Sequence, residues 1–578
     1  MNPQSELPVL IILFAPLIAA ILSLIGKFLP PRYSITPAFL VWLGGSLWAI
    51  YAAAPAILYG QSLEYSLGGW AEPYGISLSI NGLTWIATFT DIVIASAAWL
   101  ATRRYRRFGA LFYFFFFMAL FSLQGVLCSR DIFNLFVWFE VLSLSSFILI
   151  SYDRSLSSHL AAIRYLLISS LSIIFFLVGV WILYRLTGSL SLMEIAESLQ
   201  SLNSAAEPRD FAGALPFARV QSAAGLALAL ITAAILTRAA IPPFHTWLPD
   251  AHTAAPYPVS ALLSGFVIKA PMIALWRIFE LIEFPQLMEG LVWLGGVTAV
   301  WGVAAAMVQK DAKKLLGYHS VSQMGYILAA FGIGGVIGRS AALFYIIAHA
   351  LFKSLLFLTI GHVTTRVGTR NVYKIRGLRR FFPFYTATFL IAAASISGLP
   401  LLAGFTGKVL VSEALHSHPA YLMLLAAGVG TAASFIKLSA IFFGKASDAH
   451  LLILESSPAD DRGSKISAGE AHSGLLVIAA GCIAMGVVPH LIHHYILLLL
   501  HGRAGLPTSF EISWYSFGTL LKAGVSIGGG FLLALLLLSP FGKGLAHRAR
   551  AMSVGLNGSL RMLVSGFVLV LLYGLFTY

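Results

Sequence analysis

Apolar runs of about 18 residues or more recur from one end of this sequence to the other. Each is long enough to cross roughly 30 Å of hydrocarbon as a helix that rises about 1.5 Å per residue. The runs do not alternate between apolar and polar residues, as the strands of a membrane β-barrel would. With only 10% charged residues, the chain has too few polar groups to cover a soluble globule. We therefore predict an all-α polytopic membrane protein with about sixteen spanning helices.

The positively charged residues concentrate on one side of the predicted bundle when the connections are assigned alternately to two sides. That side carries the stretches 103–107, 310–314, 366–380 and 543–550. By the positive-inside rule this face is cytoplasmic, which places both termini on the extracytoplasmic side of a cell (inner) membrane. The net charge of +14 could otherwise indicate nucleic acid. Because the cations follow the membrane topology, no nucleic-acid partner is predicted.

Two apolar segments contain helix breakers. The first, 237–244, holds Pro242 and Pro243, and the second, 397–405, holds Gly398 and Pro400. A proline removes a backbone donor and clashes with the preceding turn, so the freed carbonyls must be satisfied by protein or by water inside the membrane. Paired interruptions five helices apart indicate an internal repeat with an ion path at the breaks. Two ordinary proline kinks are the alternative.

The run DIFNLFVWFEVLSLSSFILIS places Glu140 about nine residues from the start of a predicted helix that has no other charge. A bare carboxylate at that depth costs several kcal/mol, so it must be neutralised by protonation or by a partner. We interpret Glu140 as functional, against the alternative of a glutamate that only ties two helices together.

Lysines lie at the centres of two other predicted spans. Lys269 is about eleven residues from either end of its helix, roughly 16 Å from both interfaces, which is too far to snorkel. Lys353 is equally central, and His349 precedes it by four residues, so both project from one helix face. Lysine suits a proton relay because burial and a nearby cation favour its neutral form, while histidine titrates near neutrality. For His349, a satisfied interior histidine is an equal alternative.

The remaining cations of these spans lie near the breaks or the helix ends. Lys408 follows the second break, and Arg238 lies in the last turn before the first break, where a helix C-terminus favours a cation. Because arginine keeps its proton, we interpret Arg238 as a fixed counter-charge for Glu140. Snorkelling accounts for Lys437 and Lys522.

Five segments are similar to the proton-conducting antiporter-like subunits of respiratory complex I, membrane-bound hydrogenases and multi-subunit Na+/H+ (Mrp) antiporters. They are DIFNLFVWFEVL, PPFHTWLPDAHTAAPYPVSALLSGFVIKA, DAKKLLGYHSVSQMGYILA, HALFK and SGLPLLAGFTGK. The resemblance covers residues 75–445 in unbroken order. GGWAEPYGISLSINGL, together with DIFNLFVWFE, most resembles the D-type subunit of the Mrp antiporter.

This resemblance implies a fourteen-helix core of two inverted five-helix repeats, each with a broken helix and a half-channel, joined by a central polar axis. It matches Glu140 to the glutamate of helix five and Lys269 to the lysine of helix eight. It matches His349 and Lys353 to the central histidine–lysine pair, and Lys408 to the residue after the second break. Arg238 departs from the pattern, because it stands where the family has a lysine, and this puts switching of the first half-channel in doubt.

The same resemblance divides the chain. We predict N-terminal helices at 1–107, half-channels formed by the first and second inverted repeats at 108–281 and 282–443, a cytoplasmic loop at 444–472 and C-terminal helices at 473–578. The loop is rich in Ser, Gly and charge.

No cofactor, metal site or catalytic site is predicted. Cys128 and Cys482 lie far apart in apolar runs, and no Cys-x-x-Cys motif occurs. Whether the chain serves an enzyme stays open, because a redox centre would belong to a partner.

The leading functional hypothesis is an ion-translocating subunit of a multi-subunit cation/proton antiporter. Its expected partners are other membrane subunits, the lipid bilayer, protons and Na+. One alternative is a proton-pumping subunit of an NADH:quinone oxidoreductase or hydrogenase. Another is a structural anchor with a degenerate ion path, which Arg238 would favour.

Overall fold

A computed structural model describes residues 3–26, 31–70, 75–102, 108–204, 217–282, 284–444, 465–503, 505, 512–539, 544, 558, 561–562 and 564–568. The first helices are α1 Pro3–Ile25, α2 Pro31–Leu58, α3 Gly82–Thr102, α4 Ala110–Cys128, α5 Ile132–Ile150, α6 Leu156–Thr187, α7 Leu192–Ser204 and α8 Phe217–Arg238. Next come α9 Trp247–Ala254, α10 Tyr257–Leu262, α11 Ala270–Leu281, α12 Pro285–Met307, α13 Ala312–Ile333 and α14 Gly335–Val367. The last are α15 Pro383–Ser397, α16 Ala403–Ala414, α17 Ala420–Ser439, α18 Lys465–Val487, α19 Pro489–His501 and α20 Phe517–Leu538. A short antiparallel hairpin of β1 Leu63–Ser66 and β2 Ser77–Ile80 precedes α3.

The chain is an all-helical, multi-pass membrane protein, as predicted. Within the described residues, twelve helices are long and apolar enough to span a membrane, or thirteen if α18 and α19, which meet at 96°, form one bent span. The predicted count of about sixteen is not confirmed. The span predicted near residue 398 consists of two short helices, α15 and α16, and most of the last predicted span lies outside the described residues.

Two sets of helices repeat the same plan. Asp131 caps α5 by accepting from Asn134 N at 2.6 Å, and Asp311 caps α13 by accepting from Lys313 N at 2.9 Å. Each aspartate also forms an isolated antiparallel bridge, Asp131 with Ser191 and Asp311 with Asn371. The two helices are five spans apart, so the two repeats run through the membrane in opposite directions.

Both predicted helix breaks are present. Helix α8 ends at Arg238 before α9 begins, and α15 ends at Ser397 before α16 begins. Each break contains a non-glycine residue in the left-handed region, Ala240 with φ 55° and Leu401 with φ 68°. Because neither residue has a special tolerance for this conformation, surrounding contacts must hold both turns in place.

A hydrogen bond links the two sides of each helix break. Trp247 Nε1 donates to Thr237 O at 2.9 Å across the first break. Gly404 N donates to Ser395 Oγ at 3.0 Å across the second. The polar groups that the interrupted helices release are thus partly satisfied by the protein itself.

A further discontinuity was not predicted. The span predicted around Lys269 is two helices, α10 and α11, joined by a π-helical segment, Leu263–Val267. The most apolar window of this span is completely buried, and 94% of the corresponding window of α14 is buried as well. These two elements therefore form the interior of the bundle, around which the other helices are arranged.

Candidate ion pathway

Glu140 and Arg238 form an ion pair although they are 98 positions apart in the sequence. Arg238 Nη2 donates to Glu140 Oε1 at 2.7 Å. The Arg238 side chain is 7% exposed, whereas that of Glu140 is 36% exposed. The carboxylate therefore lies at the flank of the chain, with the guanidinium on its inner side.

Arg238 makes further bonds to α5. Its Nη1 donates to Phe139 O at 3.0 Å and to Ser143 Oγ at 2.5 Å, and the guanidinium lies 5.0 Å from the centre of the Phe139 ring. Arg238 is also in the last turn of α8, where the helix dipole favours a cation. One side chain thus joins the first break to Glu140.

Lys269 lies at the end of the π-helical segment and is fully buried. Its Nζ donates to Ser264 O, a carbonyl of that segment. Ser264 Oγ and Ser320 Oγ are 2.8 Å apart, which connects the segment to α13. An ammonium can donate three hydrogen bonds, so a single carbonyl leaves donor capacity for water.

His349 and Lys353 lie one turn apart on α14 and are both fully buried. Lys353 Nζ donates to Leu316 O. Neither ring nitrogen of His349 has a hydrogen-bond partner among the described residues. Lys269 and Lys353 are both within electrostatic range of its ring. The imidazole is therefore an electrostatic neighbour of two lysines, and buried ring nitrogens of this kind call for water.

His252, on α9, belongs to the same group of side chains. It is fully buried, and neither of its ring nitrogens has a partner in the described part of the chain. Lys353, Lys313 and Lys269 are within electrostatic range of its ring. It also acts electrostatically on His349, so these five side chains form one cluster.

His319, on α13, extends the cluster toward the second break. It too is fully buried, with both ring nitrogens unpartnered among the residues that are described. Lys353, Lys437 and Lys408 are within electrostatic range of its ring. His319 is therefore an electrostatic neighbour of both Lys353 and Lys408.

Neither His252 nor His319 was predicted from the sequence to be a pathway residue. His252 and His319 both lie inside segments that carry the family resemblance, PPFHTWLPDAHTAAP and DAKKLLGYHSVSQ. The signal that identified His349, a lysine four residues along the same helix, is absent at His319. His252 follows the first break by a few residues, and only the packing of α9 against α14 reveals its neighbours.

Lys408 lies in α16 just after the second break. Its Nζ donates at 2.9 Å to Ile396 O, a carbonyl in the last turn of α15. The ammonium is 5.7 Å from the centre of the Tyr326 ring. Unlike Lys269 and Lys353, Lys408 is only half-buried. The second break thus provides the hydrogen-bond partner of this lysine.

The snorkelling predicted for Lys437 is wrong. The residue is 2% exposed, and its Nζ donates to Met307 O at 2.6 Å and to Gln309 O at 2.9 Å. These carbonyls lie at and just beyond the end of α12. The side chain turns inward because a helix C-terminus offers a cation unsatisfied carbonyls and a favourable dipole.

A polar cavity approaches the cluster from the cation-rich side of the bundle. About 620 Å³ of it is open to the centres of water molecules, and its lining includes Lys310, Lys313 and Arg370. Lys313 Nζ donates to Ala255 O. Since Lys313 is within electrostatic range of His252, water in this cavity would come near the buried cluster.

Most of the predicted pathway residues are thus brought into one row, but the ion pair is not. In the described part of the chain, no hydrogen bond joins Arg238 to Lys269. We use the term row for side chains that are successive electrostatic neighbours from the π-helical segment to the second break: Lys269, His349, His252, Lys353, His319 and Lys408.

Residues 129–434, which include the ion pair, the row and both breaks, match a family described as "NADH:quinone oxidoreductase/Mrp antiporter, TM". The chain belongs to this family. The resemblance inferred from the five segments is thereby confirmed.

Two relatives of this chain carry different names. The N-type subunit of the NADH-quinone oxidoreductase of Desulforudis audaxviator is 30% identical over 418 residues, which cover 70% of this chain and 79% of the relative. The D-type subunit of the Na(+)/H(+) antiporter of Alkalihalophilus pseudofirmus is 29% identical over 408 residues, which cover 68% of this chain and 79% of the relative. Both relatives are subunits by name.

A solved structure has the same fold. One chain of the Mrp complex from Dietzia sp. superposes with a TM-score of 0.73 at 23% identity, covering 93% of this chain and all of the other. At this identity the likeness establishes the fold alone. It confirms the predicted all-helical architecture with its repeats.

Proposed function

We propose that this chain is the ion-translocating membrane subunit of a multi-subunit cation/proton antiporter. The observation that carries the proposal is the buried row of lysines and histidines that ends at a broken helix. Fully buried cations are expensive in a membrane and mark ion or proton paths when they line a hydrated interior. The relative named as a Na(+)/H(+) antiporter subunit supports the same function.

Protons move along the row in this proposal. Each lysine donates to a backbone carbonyl and retains free donor capacity, and each histidine ring has two nitrogens without a partner among the described residues. Water placed between them would complete a chain of donors and acceptors. Histidine can both accept and release a proton near neutral pH, so it can pass charge between neighbouring lysines.

Glu140 acts as the switchable member of the first half. Arginine does not release its proton, so only the carboxylate of the ion pair can change its charge. When Glu140 is protonated, Arg238 loses its counter-ion and its positive charge acts on the rest of the first half. We propose that this change of charge, and not direct proton transfer through Arg238, connects Glu140 to Lys269.

The partner subunits contact the flank that carries Glu140. A carboxylate with 36% exposure at membrane depth is costly against lipid, so a protein surface is its favoured neighbour. In the proposed orientation, the polar cavity near Lys313 opens to the cytoplasm and both termini are extracytoplasmic.

The alternative function is a proton-pumping subunit of an NADH:quinone oxidoreductase or hydrogenase. The relative named as an NADH-quinone oxidoreductase subunit favours it. Purification of the native complex separates the two functions, because a redox complex carries bound flavin or iron and an antiporter does not. Bound flavin or iron in the purified complex would replace the antiporter proposal with this alternative.

Replacement of Glu140 with Gln tests the proposed function. The amide keeps the shape of the side chain but cannot carry a charge, so we expect cation-dependent dissipation of a pH gradient in vesicles to be lost. Assembly of the complex should persist. The matched control is Glu289→Gln, since Glu289 is an exposed carboxylate bonded to His418 and outside the row. Full transport by the Glu140 variant would contradict the proposal.

A further inference from the structure

A second cavity lies beside Lys408, between α13, α16, α17 and α20. Its lining includes Lys408, Tyr326, Gly428, Lys522 and Ser526. About 70 Å³ of it is open to the centres of water molecules. Since one water needs roughly 10–15 Å³ by this measure, the cavity can hold several.

The charges around this cavity are unusual for a cation path. Lys408 and Lys522 both line it, and no Asp or Glu is among its lining residues in the described part of the chain. Lys522 Nζ lies 5.2 Å from the centre of the Tyr421 ring, which is also part of the wall. The hydroxyl of Tyr421 is buried without a partner among the described residues, so water in the cavity would satisfy it.

Helix α20 is needed for the cavity to exist. Thr519, Lys522, Ala523 and Ser526 of α20 form one of its sides, at the spacing of a single helix face. Yet α20 lies beyond the residues that match the family, 129–434, and only 11% of its most apolar window is buried. The helix therefore contributes little to the core, and its inner face closes this cavity against α17.

We propose that α20 forms the wall of a water-filled passage from the extracytoplasmic side to Lys408, and that Lys522 is a further pathway residue at its mouth. Lys522 lies five residues into α20, roughly 7.5 Å from its start. Two ammonium groups without a carboxylate repel metal cations, whereas water and lysine can pass protons. The passage therefore carries protons and excludes Na+.

This inference rests on the proposed function and deepens it, so the first test uses a readout that needs no transport. Ser526→Cys and Val525→Cys are compared in the full complex, in a background where the buried Cys128 and Cys482 are replaced by Ala. Ser526 lines the cavity, and Val525 is 63% exposed on the outer face of the same helix. The probe is the water-soluble anion methanethiosulfonate ethylsulfonate, added from outside.

We expect Ser526→Cys to react at least about tenfold faster than Val525→Cys, since thiols ionise in water and not in lipid. Adding Lys522→Met should slow the reaction at Ser526→Cys, because the anionic reagent loses an attracting charge at the mouth. Equal rates at the two cysteines would overturn the water-filled passage, whether or not the complex transports ions.

The second test asks whether the passage is used. A Cβ at Gly428 would lie 3.5 Å from Ser526 Oγ and 3.7 Å from Tyr326 Oη, so Gly428→Leu places its side chain in the cavity. Gly528→Leu is the control, because nothing lies within 4 Å of its added Cβ. We expect proton transport to fall at least about tenfold with Gly428→Leu, severalfold with Lys522→Met, and not at all with Gly528→Leu.

Normal transport by assembled Gly428→Leu and Lys522→Met complexes would overturn the pathway role of this cavity. Absence of transport in the unmodified complex would instead contradict the proposed function, and the thiol reactions would still report on the passage.

Discussion

At the residue scale, the titratable side chains differ in how they are held. Lys269 and Lys408 donate to backbone carbonyls that a discontinuity or a helix end makes available, Ser264 O and Ile396 O. Lys353 instead donates to Leu316 O, within helix α13. The histidines between them have no such partner among the described residues. Arg238 is held by three hydrogen bonds to α5, which makes it the most rigid cation of the set.

Arg238→Lys tests whether this rigidity matters. A lysine keeps the charge beside Glu140 but cannot make all three bonds, so we expect transport to persist within about tenfold of the unmodified level. Arg238→Met leaves Glu140 without a counter-charge and should lower transport by more than about tenfold. Proton flux in vesicles measures both. A large gain in proton flux with Arg238→Lys would instead support the hypothesis of a structural anchor with a degenerate ion path.

His319→Phe tests the connection between Lys353 and Lys408. Phenylalanine preserves an aromatic ring beside Phe435, whose centre is 4.9 Å from that of the imidazole, but cannot carry a proton. We expect assembly to be normal and proton flux to fall at least about tenfold. His416→Phe, at an exposed position, is the control. Unchanged flux with His319→Phe would exclude this histidine from the path.

At the element scale, the discontinuous helices explain where two of the lysines, Lys269 and Lys408, lie. An intact helix satisfies its own carbonyls, so a lysine beside it must share a carbonyl that is already bonded or depend on side chains and water. The breaks and the π-helical segment release carbonyls such as Ser264 O and Ile396 O at membrane depth. The irregular backbone therefore positions the ammonium groups of Lys269 and Lys408, but not that of Lys353, which donates to a carbonyl of the intact helix α13.

Gly404→Ala tests the geometry of the second break. An added Cβ would lie 1.8 Å from Ser395 O, so α15 and α16 would have to separate. Overpacking costs about 1–3 kcal/mol, and a collision with backbone costs at least that much. We expect a lower unfolding temperature in detergent and weaker transport. Gly290→Ala, with nothing within 4 Å of its Cβ, should behave normally.

At the scale of the whole molecule, the repeats and the charge distribution predict which connections between helices face the cytoplasm. Lys374 lies on the cation-rich side, and Ser417 lies in the connection between α16 and α17 on the opposite side; both are exposed. We expect a membrane-impermeant maleimide to label Ser417→Cys in intact cells and Lys374→Cys only after lysis. The reverse labelling pattern would contradict the proposed orientation of the termini and of both cavities.

Much of the architecture could be derived from the sequence alone, because it depends on local spacing. The lengths of the apolar runs determine the spans, and four-residue spacing determines that His349 and Lys353 share a face. Pro242, Pro243, Gly398 and Pro400 determine where two helices break, since the backbone effects of proline and glycine act within a turn.

Only the tertiary structure decided which side chains meet. Glu140 lies at the flank, His252 and His319 join the row, Lys437 turns inward and α20 covers Lys408. Each of these depends on which helix faces come together over long sequence separations. Hydropathy shows that a helix enters the membrane, but an all-round apolar helix carries little information about the direction its few polar residues face.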